Sequence, residues 1–170
     1  MSLIRVPLAF MFFHALYHQN LEEALLCLVV AGISDKLDGT LARRLGMGDN
    51  LWGKILDPFA DRIFMIVSFS SLYLVKLEIT LNPWVIFLTV GQDLLLAPLG
   101  IYVLLKKKKF LGSPLGKPVT FYQYVFLIML LSINLWKLKL DILIFEILLI
   151  LLNLLSAIHH IYLWLLDRQS

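Results

Sequence analysis

The sequence predicts an all-α integral membrane protein, one domain over residues 1–170, with six transmembrane helices and a metal site between helices 2 and 3 at the cytoplasmic side. Three observations predict this. The chain is 60% hydrophobic and only 16% charged, with a mean hydropathy of +0.85, whereas an ordinary soluble domain is about 25% charged. Six apolar segments approach the ~20 residues that a spanning helix needs. Four aspartates, Asp35, Asp38, Asp57 and Asp61, lie within two of those segments. An ionised carboxylate there costs roughly 3 kcal/mol on insertion scales. Such groups need compensation, and divalent cations that take hard oxygen ligands are the natural source.

The first helix is expected over Ser2–Tyr17 and is short enough to be tilted or truncated. No charged n-region with an A-x-A-like cleavage site precedes it, so it is expected to stay in place as a helix. His18-Gln19-Asn20 breaks the pattern before the second helix, Leu21–Leu45. Cys27 within it reads as a small core hydrophobe. A Gly-Met-Gly-Asp-Asn turn at 46–50 leads to the third helix, Leu51–Val75, which Pro58 should bend. Asn82-Pro83 opens the fourth helix, Pro83–Leu105, and Gly112-Ser113-Pro114 precedes the fifth, Pro118–Trp136. A short Lys/Asp link at 137–141 precedes the last helix, Ile142–Leu166.

Lys and Arg placement predicts the orientation. With six spans, Arg43, Arg44, Lys54, Lys106, Lys107, Lys108, Lys109, Lys117 and Arg168 share the side of the termini, while Lys76, Lys137 and Lys139 take the other. Nine against three places the termini, and the site, in the cytoplasm, with the chain in the inner (plasma) membrane. The Lys106–Lys109 run reads as an orientation and anionic-lipid patch. Tyr17, Trp52, Trp84, Trp136, Tyr162 and Trp164 fall near span ends, as interfacial aromatic belts do.

Asp35 and Asp38 are three apart, and Asp57 and Asp61 four apart, so each pair shares one face of its helix. Asp35 lies ten residues back from Leu45 and Asp61 ten forward from Leu51, a depth of ~15 Å on each side of the turn. The pairs can therefore face one another across a seam between antiparallel helices 2 and 3. Four carboxylates at this spacing suit one or two Mg²⁺ or Mn²⁺ ions. Gly39, Ala42 and Gly53 interleave with the acids, where small residues let backbone or ligand approach closely. Arg43 follows one turn after Gly39 and suits a phosphate or pyrophosphate.

The pattern Asp35-x2-Asp38-Gly39-x2-Ala42-Arg43-x9-Gly53-x3-Asp57-x3-Asp61 resembles the signature of the CDP-alcohol phosphatidyltransferases, with every fixed position present. Ser2 and Arg5 resemble the Thr-x-x-Arg opening of that family's first helix. Gly116-Lys117-x2-Thr120-x2-Gln123 resembles the start of helix 5 in its phosphatidylglycerophosphate and cardiolipin synthase branches. The resemblance implies transfer of a phosphatidyl group from CDP-diacylglycerol to an alcohol, with release of CMP. It implies two metal ions held by the four aspartates, and a nucleotide held near Asp35, Gly39, Ala42, Arg43 and Gly53. It implies Asp61 as the base that takes the acceptor proton, and a homodimer in the lipid bilayer. No nucleic-acid partner is expected.

The acceptor is expected to be sn-glycerol 3-phosphate, with Arg5, Arg62 and Lys117 as its cations. Gln92-Asp93 departs from the Arg followed by Glu or Asp common in relatives, which keeps phosphatidylglycerol, the cardiolipin synthase acceptor, and an inositol phosphate as alternatives. Asp93 is expected to pair with Arg62 or Lys117. His14 and His18 are spaced for a shared ligand but read as packing groups. Glu146 reads as paired or protonated inside the bundle. A Mg²⁺ or proton transporter is the rival class, but transport predicts acids spread through the membrane depth. Here all four gather on one side.

Overall fold

A computed structural model describes the backbone of residues 4–44, 51–75, 77–105 and 116–169, and the side chains of residues 4–34, 59–75, 77–95 and 118–162. These residues form six α-helices: α1 (Arg5–Tyr17), α2 (Leu21–Arg44), α3 (Leu51–Leu74), α4 (Pro83–Leu105), α5 (Gly116–Leu135) and α6 (Leu143–Gln169). The Lys106–Lys109 run and the turns at 46–50 and 112–114 lie outside the described residues.

The helix ends follow from local chemistry. Asn20 caps α2, accepting from the Glu23 amide at 3.3 Å, and Asn82 caps α4, accepting from the Trp84 amide at 3.1 Å. Pro83 sits at the first helical position, where its missing N–H has no partner to lose. Asp141 accepts from the Leu143 amide at 3.0 Å as α6 begins. α1 and α5 each end in a left-handed residue, Gln19 (φ 58) and Lys137 (φ 50). The Asn20 and Leu138 amides then turn back to the Ala15 and Ile133 carbonyls at 2.8 and 3.0 Å, satisfying carbonyls that the helix end leaves orphaned.

The six helices close into a ring in the order α1, α2, α5, α6, α4, α3, each packed on two neighbours. Spacing alone predicts a direct α2–α3 seam between Asp35–Leu45 and Leu51–Asp61, and the side chains of 35–58 lie outside the described residues. Among the described residues α1 lies against both α2 and α3, which themselves meet slightly at most. The reason is steric. α1 buries Ala9, Phe12, Ala15 and Leu16, and α2 buries Ala24, Cys27, Leu28 and Ala31, so small side chains let α1 sit close to α2. Phe12 meets Phe64 of α3 with centroids 6.3 Å apart. Cys27 is buried, the small core residue expected.

Polar links join the other helices. Gln123 Nε2 of α5 donates to Asn153 Oδ1 of α6 at 3.0 Å, and Asn153 Nδ2 donates to Thr89 Oγ1 of α4 at 3.3 Å. Such bonds contribute about 0.6 kcal/mol each in membrane bundles. Asn134 of α5 holds both the amide (2.9 Å) and the carbonyl (3.2 Å) of Ile79, fixing the α3–α4 connection.

Pro118–Leu135 and Leu143–Tyr162 are long and apolar enough to cross a membrane. α6 turns Ile144, Leu148, Leu151, Leu155 and Ile158 outward, a contiguous apolar face that a soluble monomer rarely exposes. Tyr17, Trp84, Trp136 and Tyr162 are exposed near helix ends, as belts require. Trp52 and Trp164 lie outside the described side chains. The chain thus has the character of an all-helical membrane protein.

Candidate active site around Asp61

Asp61 lies ten residues into α3, and its partners come from helices on either side of the ring interior. Arg5, in the first turn of α1, places Nη1 3.4 Å from Asp61 Oδ1. Tyr124 of α5 donates its hydroxyl to the same oxygen at 3.1 Å. The Tyr124 ring stacks on Phe64, one turn along α3 from Asp61, with centroids 5.7 Å apart and planes 16° from parallel. Arg5 is buried, yet its charge is matched, which a cation in an apolar bundle requires. Asp61 therefore sits where α1, α3 and α5 converge, held in place as an acceptor.

The next residue, Arg62, turns to α4. Its Nη1 donates to Asp93 Oδ1 at 2.7 Å, a charge-assisted bond between partly buried groups. Arg62 is one of the two partners expected for Asp93; the side chain of the other, Lys117, lies outside the described residues. Arg5 and Arg62 thus both reach the neighbourhood of Asp61, each bound to a carboxylate.

Asp35, Asp38, Gly39, Ala42 and Arg43 lie on α2, Gly53 and Asp57 on α3, and Lys117 in the first turn of α5. Their side chains lie outside the described residues. Glu146 departs from the interior position expected for it. It is half-buried at the bundle's end and accepts from the Asn82 amide at 3.0 Å, because the first turn of α6 faces the α3–α4 connection. His14 and His18 are exposed and meet edge-on at 4.4 Å.

Tyr124, which donates to Asp61, is a side chain of the candidate site that spacing alone misses. A signal exists: it directly follows Gln123, the last residue of the helix-5 pattern.

The model of the CDP-alcohol phosphatidyltransferase family matches residues 1–165. The chain belongs to that family. Within it, the chain is similar to the CDP-diacylglycerol–glycerol-3-phosphate 3-phosphatidyltransferase of Aquifex aeolicus, 34% identical over 114 residues, which cover 67% of this chain and 62% of the relative. It is also similar to the cardiolipin synthase (CMP-forming) of Streptomyces coelicolor, 37% identical over 117 residues, covering 64% of this chain and 50% of the relative. The human cardiolipin synthase (CMP-forming) is 28% identical over 104 residues, covering 61% of this chain and 33% of the relative. The chain thus matches 62% or less of the length of these relatives. No solved structure matches it.

Proposed function

We propose that this chain transfers the phosphatidyl group of CDP-diacylglycerol to an alcohol and releases CMP. The observation that supports this best is Asp61, the last acid of a complete eight-position family signature, held by Arg5 and Tyr124 inside the helix ring. In the reaction, the acceptor oxygen bonds to the phosphorus that carries the diacylglycerol. The pyrophosphate P–O bond breaks, its electron pair leaves on CMP, and the hydroxyl proton passes to Asp61. Arg5 and Tyr124 fix the carboxylate for that transfer. Gly39, Ala42 and Gly53 leave room for the nucleotide beside Asp35, and Arg43 binds its pyrophosphate.

The donor set fits hard divalent cations, since Asp35, Asp38, Asp57 and Asp61 offer carboxylate oxygens and no soft ligand. These residues would hold two Mg²⁺ or Mn²⁺ ions, whose chemistry there is charge neutralisation at the pyrophosphate and the departing CMP. Six spans, cytoplasmic termini and site, an inner-membrane location and a homodimer complete the reading.

For the acceptor, likeness to the Aquifex relative favours sn-glycerol 3-phosphate, with Arg5, Arg62 and Lys117 toward its phosphate. The Arg62–Asp93 pair favours a second reading, phosphatidylglycerol, because it leaves Arg62 already neutralised. The deciding experiment offers purified protein CDP-diacylglycerol with glycerol 3-phosphate, phosphatidylglycerol or inositol phosphate, and identifies the lipid formed. Phosphatidylglycerophosphate supports the first reading and cardiolipin the second. No CMP release with any acceptor overturns both.

A further inference from the structure

The proposed chemistry gives no task to Asp93, although it is buried in α4 one residue beyond Gln92 and bound to Arg62 at 2.7 Å. Its side chain is 11% exposed and that of Arg62 26%, so water screens the pair weakly. Arg62 adjoins Asp61, and Asp93 is near enough to Asp61 for their charges to interact. Among the described residues, the α4 side of Asp61 therefore carries Arg62 and Asp93 joined into a pair of zero net charge.

Such a pair discriminates between acceptors. A phosphomonoester brings close to two negative charges. Arg62 attracts it, but Asp93 repels it from nearly the same place. The glycerol headgroup of phosphatidylglycerol brings a single phosphodiester charge and meets less opposition. Its oxygens can accept from the guanidinium N–H groups that Asp93 does not use, and its hydroxyls can donate to the carboxylate.

We propose that Asp93 is a specificity-determining residue for the acceptor, setting the site against a phosphomonoester and toward hydroxyls by neutralising Arg62. The inference rests on phosphatidyl transfer at Asp61. It holds whichever acceptor the protein uses most, because it concerns the ratio between two. Asp93 then limits how well glycerol 3-phosphate competes.

The test compares kcat/KM for glycerol 3-phosphate and phosphatidylglycerol on the purified full chain in mixed micelles with saturating CDP-diacylglycerol. Where one acceptor yields no product, its inhibition of the other is measured instead. Asp93→Asn keeps the shape and removes the charge. It should raise the glycerol 3-phosphate to phosphatidylglycerol ratio at least tenfold, through a lower KM for glycerol 3-phosphate. Asp93→Ser, read in parallel, should move the ratio the same way. In an Arg62→Gln background, Asp93→Asn should move the ratio less than half as far on a logarithmic scale, because the guanidinium it releases is gone. A ratio within twofold of wild type in both single variants overturns the proposal. So does a shift toward phosphatidylglycerol, or an equal loss with both acceptors, which marks a purely structural pair. Wild-type protein that releases no CMP with any acceptor sinks the reaction itself, a result distinct from any of these.

Discussion

Replacing Tyr124 with Phe removes one hydroxyl and leaves the ring that stacks on Phe64 at 5.7 Å. The packing survives, while Asp61 Oδ1 loses a donor at 3.1 Å. A hydrogen bond to a charged group contributes roughly 1.5–3 kcal/mol. The low end applies, because Arg5 still holds the same oxygen at 3.4 Å and the Asp61 side chain is 24% exposed. About 1.5 kcal/mol corresponds to a roughly tenfold lower kcat if the bond orients the carboxylate for proton transfer. The assay is CMP release from CDP-diacylglycerol by purified protein at saturating acceptor, with thermal unfolding measured on the same preparation. The KM for CDP-diacylglycerol should stay within twofold and the unfolding midpoint within a few degrees. A wild-type kcat would refute the positioning role. A large drop in the midpoint with unchanged kcat would assign Tyr124 to packing alone.

Asp57→Asn should abolish CMP release while the protein still purifies as a monodisperse species, because a shared cation ligand is lost; normal turnover contradicts that role. Chelation with EDTA should stop the reaction, and added Mg²⁺ or Mn²⁺ should restore it; activity that persists after thorough chelation counts against metal dependence. Asn134→Ala should lower stability by about 1–3 kcal/mol, because the Ile79 amide loses its acceptor. Thermal unfolding in detergent reads this, and the KM for the acceptor should not move, since Asn134 lies at the α3–α4 end of the bundle.

The helix boundaries were legible because they are written in local chemistry. Asn20, Asn82-Pro83 and Asp141 are polar caps between long apolar runs, and the structure uses each as a cap. The left-handed Lys137 that ends α5 carries no such mark, since only glycine or asparagine would advertise that conformation. The signature acids could be placed on α2 and α3 from spacing alone. Their surroundings could not, because helix order around a ring depends on which apolar faces fit, and uniformly apolar helices do not mark their faces. The small residues of α2 admit α1, which brings Arg5 to Asp61, and neither sequence neighbourhood announces the pairing. Tyr124 and Asn153 were hidden for the same reason: a polar residue in an apolar helix signals an interhelical partner without naming it.

The proposed reaction turns on acids of α2 and α3, Asp61 among them, jointly holding divalent cations. Titrating purified protein with Mn²⁺ and counting bound ions by electron paramagnetic resonance tests that most directly. Two ions per chain in the wild type, with fewer in both Asp38→Asn and Asp57→Asn, is the expected result. Unchanged binding in those variants, or no binding in the wild type with CDP-diacylglycerol present, would contradict it.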